Sequence, residues 1–424
     1  MATAVRLTWK DKKMACIWTL GMVESFKHKT HYQKEIQAMK NPTTVLSNLL
    51  SHFPRSEFDK SVRDLKADHR VRTFKSFDLL KVLIYGQVTH AFSVREIEGS
   101  LAAHGTGLYH AGMKPVKRST LCDALDKRDP GIFEQAFNAL VSKARVLSAN
   151  SGLRFKNPLR VIDATTIELC LSRFDWAKFR STKGAVKLHV ALNGDHCFPE
   201  QVRMTTGSVH EVNEMTELTL GPGKMNVLDR GYVDFKRLHK INLAGSYFVT
   251  RMKGNCQWDL VKPISFSDQG AVKFDAVVRF SSQKAKEKYP NDIRQVTYHD
   301  AESDRSYDFM TNDFTSSAQE IADVYKARWQ VELFFKWIKQ NLKIKTFWGT
   351  SRNAVFTQLW VALIVFMLLW IVKHTNKLVA TPQRILQLLK TTLLKRRSIE
   401  ELFEEPDPPD KVDSKQLELK ELVI

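Results

Sequence analysis

The sequence predicts a mixed α/β fold: a mixed five-stranded sheet flanked by helices, carrying a β-rich insertion and preceded by an α-helical region. Three observations predict it. From Thr43 to Leu147 the apolar residues recur at helical spacing. Around Pro158 the texture changes to short apolar runs with turns between them, the pattern of strands. Past Met252 the run AVKFDAVVRF alternates, setting Val272, Phe274, Ala276, Val278 and Phe280 on one face. A chain of 424 residues is long enough for two or three domains.

Taken in order, residues 1–40 read as a basic extension, either a disordered arm or an upstream addition, because Lys and aromatics occur there without periodicity. NPTTVLSNLLSHF after Met39 is a more natural beginning, an Asn-Pro-Thr-Thr entry into an amphipathic helix. Residues 41–150 form the helical region. SVREIEGSLAA starts on a capping box, Ser93 with Glu96, and RSTLCDALDKR makes a second, basic helix. With HGTGLYHAGMKPVK between them the two helices read either as a helix-turn-helix derivative or as part of an ordinary bundle. In both readings Arg118, Lys127 and Arg128 are candidate phosphate contacts. Then come LRVIDATTI, GAVKLHVALNG and PEQVRMTTG as strands, HEVNEMTELTL as a helix, NVLDRGY as a strand, FKRLHKI as a helix and SYFVTR as a strand. This β-β-β-α-β-α-β order is that of a ribonuclease-H-like domain, assigned to residues 151–251 and 317–375. Residues 252–316 are the β-rich insertion, with RQVTYH and RSYDFM as a hairpin. Ser317 and Glu320 form a second capping box that launches a long helix over YKARWQVELFFKWIKQNL. Residues 376–424 hold amphipathic helices and a loose acidic tail.

The charge balance narrows the partners. Lys and Arg number 65 against 46 acids, a net charge of +19, which points to a polyanion, nucleic acid ahead of an anionic membrane surface. Cys16, Cys122, Cys170, Cys197 and Cys256 form no CxxC pair and no spacing with His, which favours a reducing compartment over a structural zinc site. Leu359–Val372 is apolar but short of the ~20 residues that span a bilayer, so a buried helix is expected. No secretory signal is evident, and the expectation is a cytoplasmic protein without a membrane partner.

Three carboxylates stand out. Asp163 follows the apolar run LRVI and Asp229 follows NVL, and a carboxylate there is costly to bury unless it faces a polar cleft. The plain alternative for either is a residue with local hydrogen bonds. On adjacent strands the two could share a divalent cation, with Glu332 on the long helix as a third ligand. Three carboxylates with open positions suit Mg²⁺, and two ions ~4 Å apart could activate a water or 3′-hydroxyl. On a helix turning 100° per residue, Tyr325, Arg328, Glu332 and Lys339 share an arc of about 60°. Ion pairing of Arg328 with Glu332 explains only part of that seam.

The spacing Y-x₂-R-x₃-E-x₆-K, met by Tyr325, Arg328, Glu332 and Lys339, resembles the signature of DDE transposases of bacterial insertion sequences, specifically the fourth insertion-sequence family. VIDATT and LDRGY resemble that family's first and second aspartate motifs, and the similarity extends more loosely over residues 40–400. The resemblance implies Asp163, Asp229 and Glu332 as catalytic, metal-binding triad, with two Mg²⁺ ions and Mn²⁺ able to substitute. It implies DNA contacts from Tyr325, Arg328 and Lys339, with Arg230, Lys187 and Arg118 as further candidates. It also implies cleavage at terminal inverted repeats, a hairpin intermediate, joining to target DNA and a homodimeric synaptic complex in the bacterial nucleoid. His210-Glu211 departs from the His-Asp often found there, a change that keeps the charge. His189 reads as a strand histidine with a structural hydrogen bond before a DNA contact, and Trp258 as core packing before base stacking. Two rivals remain: a decayed or co-opted DNA-binding protein without catalysis, and a ribonuclease-H-like nuclease that cuts but does not join.

Overall fold

The computed structural model describes residues 43–149, 152–209, 218, 221–254, 256–266 and 270–403. The basic extension, the helix expected over HEVNEMTELTL (apart from Leu218), His210-Glu211 and the acidic tail lie outside the described residues.

The helical region comprises α1 (Val45–Ser51), α2 (Arg55–Asp64), α3 (Ser76–Thr89), α4 (Val94–His104), α5 (Gly107–His110), α6 (Arg118–Lys127) and α7 (Gly131–Ser148). Thr44 caps α1, its hydroxyl accepting from the Ser47 amide at 3.2 Å. Ser93 caps α4 in the same way, accepting from the Glu96 amide at 3.2 Å. The Glu96 carboxylate reaches back one residue further than a capping box requires, to the Phe92 amide at 2.7 Å.

The strands follow: β1 (Leu159–Leu169), β2 (Gly184–Asn193), β3 (Pro199–Thr206), β4 (Met225–Leu228) and, after α8 (Phe235–Leu243), β5 (Tyr247–Arg251). Next come β6 (Trp258–Phe266), β7 (Val272–Phe280), α9 (Gln283–Lys288), β8 (Ile293–Asp300) and β9 (Arg305–Thr311). All nine belong to one sheet of order β3-β2-β1-β4-β5-β9-β8-β7-β6. The expected five-stranded sheet therefore does not stop at its fifth strand. β9 pairs antiparallel with β5 through Val249–Thr311 to Arg251–Phe309, so the insertion continues the sheet instead of standing beside it. β1 also runs on past Asp163 to Leu169. It loses its parallel neighbour β4 after Ile162 but keeps pairing with β2.

The sheet separates two apolar cores because successive side chains point to opposite faces. Ile162, Leu228 and Phe248 belong to the smaller core, covered by Leu238 and Ile241 of α8. Val161, Val227 and Val249 face the larger core, which also takes in the N-terminal helices.

Over that larger core lie α10 (Ala318–Lys326), α11 (Trp329–Asn341), α12 (Arg352–Thr375) and α13 (Pro382–Thr392). α12 carries the apolar run and is buried throughout its middle. By length and composition it could cross a membrane, yet its apolar window is wholly buried in the protein. Its rings join three regions. Trp360 meets Phe137 of α7 at 5.4 Å, Phe366 meets Phe334 of α11 at 5.0 Å, and Trp370 meets Phe198 beside β3 at 4.9 Å.

The segment between α11 and α12 is pinned to the end of α3. Gln358 Nε2 donates to the carbonyls of Lys343 and Thr346 at 2.7 and 2.8 Å, and its Oε1 accepts from the Trp348 amide at 2.9 Å. Trp348 packs where a Cβ on Gly86 would stand 2.8 Å from its ring, so α3 needs glycine there. Leaving a buried polar group unpaired costs about 1–3 kcal/mol. Gln358→Leu is therefore expected to destabilise the protein by roughly 3 kcal/mol, read as a lower urea midpoint with far-ultraviolet dichroism unchanged.

Candidate active site

Parallel pairing of β1 with β4 sets Val161 beside Val227 and Ile162 beside Leu228. One residue beyond that pairing come Asp163, still within β1, and Asp229, which caps the turn that follows β4. Alternation directs Asp163 to the face of Val161 and Val227, the face covered by α11. The local hydrogen bonds expected by the plainer reading are present. Asp163 Oδ1 accepts from the Ala164 amide at 2.8 Å, and Asp229 Oδ2 accepts from the Gly231 amide at 3.1 Å. The second holds the 3₁₀ turn Arg230–Tyr232, which leaves Arg230 exposed beside Asp229.

The long helix of the sequence reading is two helices. At the junction Arg328 N bonds to Tyr325 O at 3.0 Å and Gln330 N to Ala327 O at 3.0 Å, so the turn tightens to an i→i−3 pattern. A wheel drawn through Tyr325–Lys339 as one helix is therefore broken at Arg328. The break works in favour of the site by placing the guanidinium among the acids. Arg328 Nη2 donates to Glu332 Oε1 at 2.6 Å, and its Nη1 lies 4.0 Å from Asp163 Oδ2. Burial works against the Arg328 charge, but Tyr325, Glu332 and Asp229 outweigh it and hold its pKa above the ordinary value.

Tyr325 closes the site. Its ring lies 4.8 Å from Phe309 and 6.0 Å from the Arg328 guanidinium. Its hydroxyl is buried, and apart from the pull of the nearby Arg328 guanidinium no group among the described residues satisfies it. Burial first, and then the Asp229 charge, push the phenol up to about 12 against the pull of Arg328 and Arg251. Lys339, in the last turn of α11, donates to the Thr166 carbonyl of β1 at 3.3 Å. It joins the row along β1, three residues beyond Asp163.

The other candidates fall elsewhere. Lys187 lies on the opposite face from Asp163, since Val186 and Leu188 take the larger core, and its ammonium donates to the Val209 carbonyl at 3.0 Å. The alternation that the sequence shows around GAVKLHVALN could have revealed this. His189 shares that opposite face and pairs with the Thr205 hydroxyl at 2.9 Å, as the plainer reading expected. Arg118 is exposed in the first turn of α6, and that helix packs on α12. Trp258 packs on Phe274 at 5.7 Å. Arg251 was missed. It follows Thr250, the residue of β5 paired with Leu228, and its guanidinium lies 4.8 Å from the Tyr307 ring and acts on Tyr325. Its position at the end of SYFVTR matched that of Asp229 after NVL and was the available signal.

The carboxylates are hard oxygen donors of the kind divalent ions take. In this arrangement they converge on Arg328, and among the described residues no three acids, His or Cys lie close enough to chelate one ion. The donor chemistry and the buried Tyr325 hydroxyl fit a site for metal and phosphate in which a positive charge is already held by the guanidinium.

A family model described as a transposase DDE domain matches residues 154–368, and a domain of unknown function, DUF4372, matches residues 41–114. Three curated relatives are similar. A protein described as a transposase for insertion sequence element IS5377 from Geobacillus stearothermophilus is 34% identical over 249 residues, 58% of this chain and 65% of that one. One described as transposase y4zB from Sinorhizobium fredii is 32% identical over 295 residues, 68% of this chain and 80% of that one. One described as a transposase for insertion sequence element IS4SA from Synechocystis is 25% identical over 334 residues, 77% of this chain and 86% of that one. These matches define a DNA-cleaving and DNA-joining enzyme. The chain belongs to the DDE transposase family of insertion sequences, a family dependent on divalent metal ions.

Tyr325→Phe removes a buried hydroxyl engaged only by the pull of Arg328. It is expected to leave the DNA-free protein unchanged or about 1 kcal/mol more stable in urea denaturation while lowering DNA cleavage. Burial, followed by Lys187 and Arg203, lowers His189 to about 4. The unfolded imidazole takes its proton near 6.5, so between those values the unfolded state binds more protons. Stability is then full above pH 6.5 and falls as pH drops toward 4, by about 3 kcal/mol at most. His189→Gln is expected to flatten that part of the stability–pH curve.

Proposed function

We propose that this chain cuts the ends of its own insertion sequence and joins them to target DNA, with Asp163, Asp229 and Glu332 as the metal-holding triad. The observation that carries the assignment is Arg328 held between Asp163 and Glu332 just past the paired ends of β1 and β4, the end that Asp229 directly follows. Strand order β3-β2-β1-β4-β5, with β4 and β5 parallel to β1, supports a ribonuclease-H-like catalytic domain. The spacing of Tyr325, Arg328, Glu332 and Lys339 supports placement in the fourth insertion-sequence family.

Mg²⁺, for which Mn²⁺ can substitute, supplies activation of a water or 3′-hydroxyl and charge stabilisation of the leaving oxygen when bound as a pair of ions. The chain's own residues do the rest. The Arg328 fork, released from Glu332, meets a phosphate with two parallel donors, and Lys339 offers a point charge. The Tyr325 hydroxyl, which stays protonated far above neutral pH, donates to a phosphate oxygen. Exposed Arg230 extends this cationic rim beside Asp229. The helices of residues 41–150 serve as a DNA-binding domain, with Arg118 among its phosphate contacts. Two copies bring the terminal inverted repeats together, the cut 3′-hydroxyl closes a hairpin on the opposite strand, and the complex acts on the cytoplasmic nucleoid.

Purified protein, Mg²⁺ and a plasmid carrying the gene's own flanks test this on denaturing gels. Glu332→Ala is expected to abolish cutting while end binding persists, and a variant that cuts normally would sink the triad. Hairpin products fix the pathway. End binding without cutting by the unsubstituted chain favours the decayed-copy reading, and cutting without end preference favours the nuclease. Lys339→Ala is expected to weaken end binding and to make the slope of log K against log salt shallower by about one. An unchanged slope removes Lys339 from the contacts.

A further inference from the structure

Past the C-terminal end of α11 the surface changes character. The turn after α3 presents Phe92, a ring 77% exposed, with the Lys343 ammonium 4.0 Å from its centroid. An exposed aromatic face under a cation is a surface that can take up both an apolar and an anionic group. Lys345 and, on α13, Lys390 are exposed in the same neighbourhood. His90 ties these residues together. Burial and then Lys390 and Lys343 lower its pKa, while the backbone of Asn341 at the end of α11 raises it. Lys345 is also close enough to act on Lys339, whose pKa is lowered by burial and then by that charge. Glu96, the acid beside the turn, is engaged with the Phe92 amide.

The two segments that carry these groups are rigid supports. Gln87 Oε1 accepts from the Lys343 amide at 2.8 Å, and Trp348 Nε1 donates to the Ala91 carbonyl at 3.1 Å. Ile344 and Trp348 are buried on either side of Lys345, so the cations are held outward by an anchored loop. Such like charges repel one another, and a shared polyanion is what relieves them.

We infer that Phe92, Lys343, Lys345 and Lys390 form a DNA-contact surface that grips the duplex as it leaves the carboxylate site along α11. The inference rests on the site reading above and adds to it the path of the DNA. A helix rises about 1.5 Å per residue, so Lys343 lies roughly 15 Å along from Glu332, about four to five nucleotides of a strand. The lysines meet phosphates there, and the Phe92 ring meets deoxyribose and base edges.

Binding of the full chain to a duplex carrying its own end, and to one of unrelated sequence, tests the surface over a salt series. Lys345→Gln with Lys390→Gln is expected to weaken binding about tenfold and to make the slope of log K against log salt shallower by about two, since each lost phosphate contact removes ~0.9. Phe92→Ala is expected to weaken binding several-fold with the slope unchanged. All three side chains are exposed, so unchanged thermal melting confirms that folding is not the cause. Affinity and slope that stay at wild-type values on both duplexes overturn the surface. A slope change that persists while no preference for the end is seen keeps the surface and sinks the end-binding assignment of the site.

Discussion

Parallel pairing between β1 and β4 ends at Ile162 and Leu228, and the acids one residue further on shape the rest of the molecule. Two carboxylates that follow the paired ends of adjacent strands carry like charge. Glu332 adds a third negative charge from α11. The arrangement persists because Arg328 is delivered among them by the tightened junction between α10 and α11. In the proposed triad, the same guanidinium that offsets the acids is the group that moves when phosphate and metal arrive. Binding and catalysis thus draw on one exchange of partners.

That exchange needs a firm base, which α12 provides. Its buried length touches α7, α11 and the β3 side of the sheet through aromatic pairs, so the N-terminal helices and the catalytic sheet share one core. Gln358 is buried in that helix with its donors and its acceptor all engaged. A displacement of the N-terminal helices on DNA would therefore be felt at α11.

Much of this was legible in the sequence. Asp163 and Asp229 were marked by the apolar runs before them, and Glu332 by its place with Arg328 in an otherwise apolar helix. The succession of the five strands along the chain followed from alternation and turns. What the sequence hid was long-range. Nothing local says that β9 pairs with β5 and fuses the insertion to the catalytic sheet, or that the chain tightens at Arg328, since Ala327 and Arg328 are both good helix formers. Lys187 was read from a motif, and the alternation of its strand puts it on the face away from Asp163. Arg251 was passed over for the opposite reason, standing alone at a strand end with its partners Tyr307 and Tyr325 far away in the chain.

The nine-stranded sheet also has a free margin at β6, where Leu260, Val261 and Ile264 are exposed. An apolar sheet edge of that length invites pairing with another chain and, at high concentration, aggregation. β6 is built against it. Pro263 removes a backbone donor, and the register with β7 breaks twice, between Leu260 and Lys262 and between Pro263 and Ser265. The irregularity spoils the flat template that a stray strand would need, so the exposed apolar side chains of β6 do not amount to an open invitation for another strand to pair.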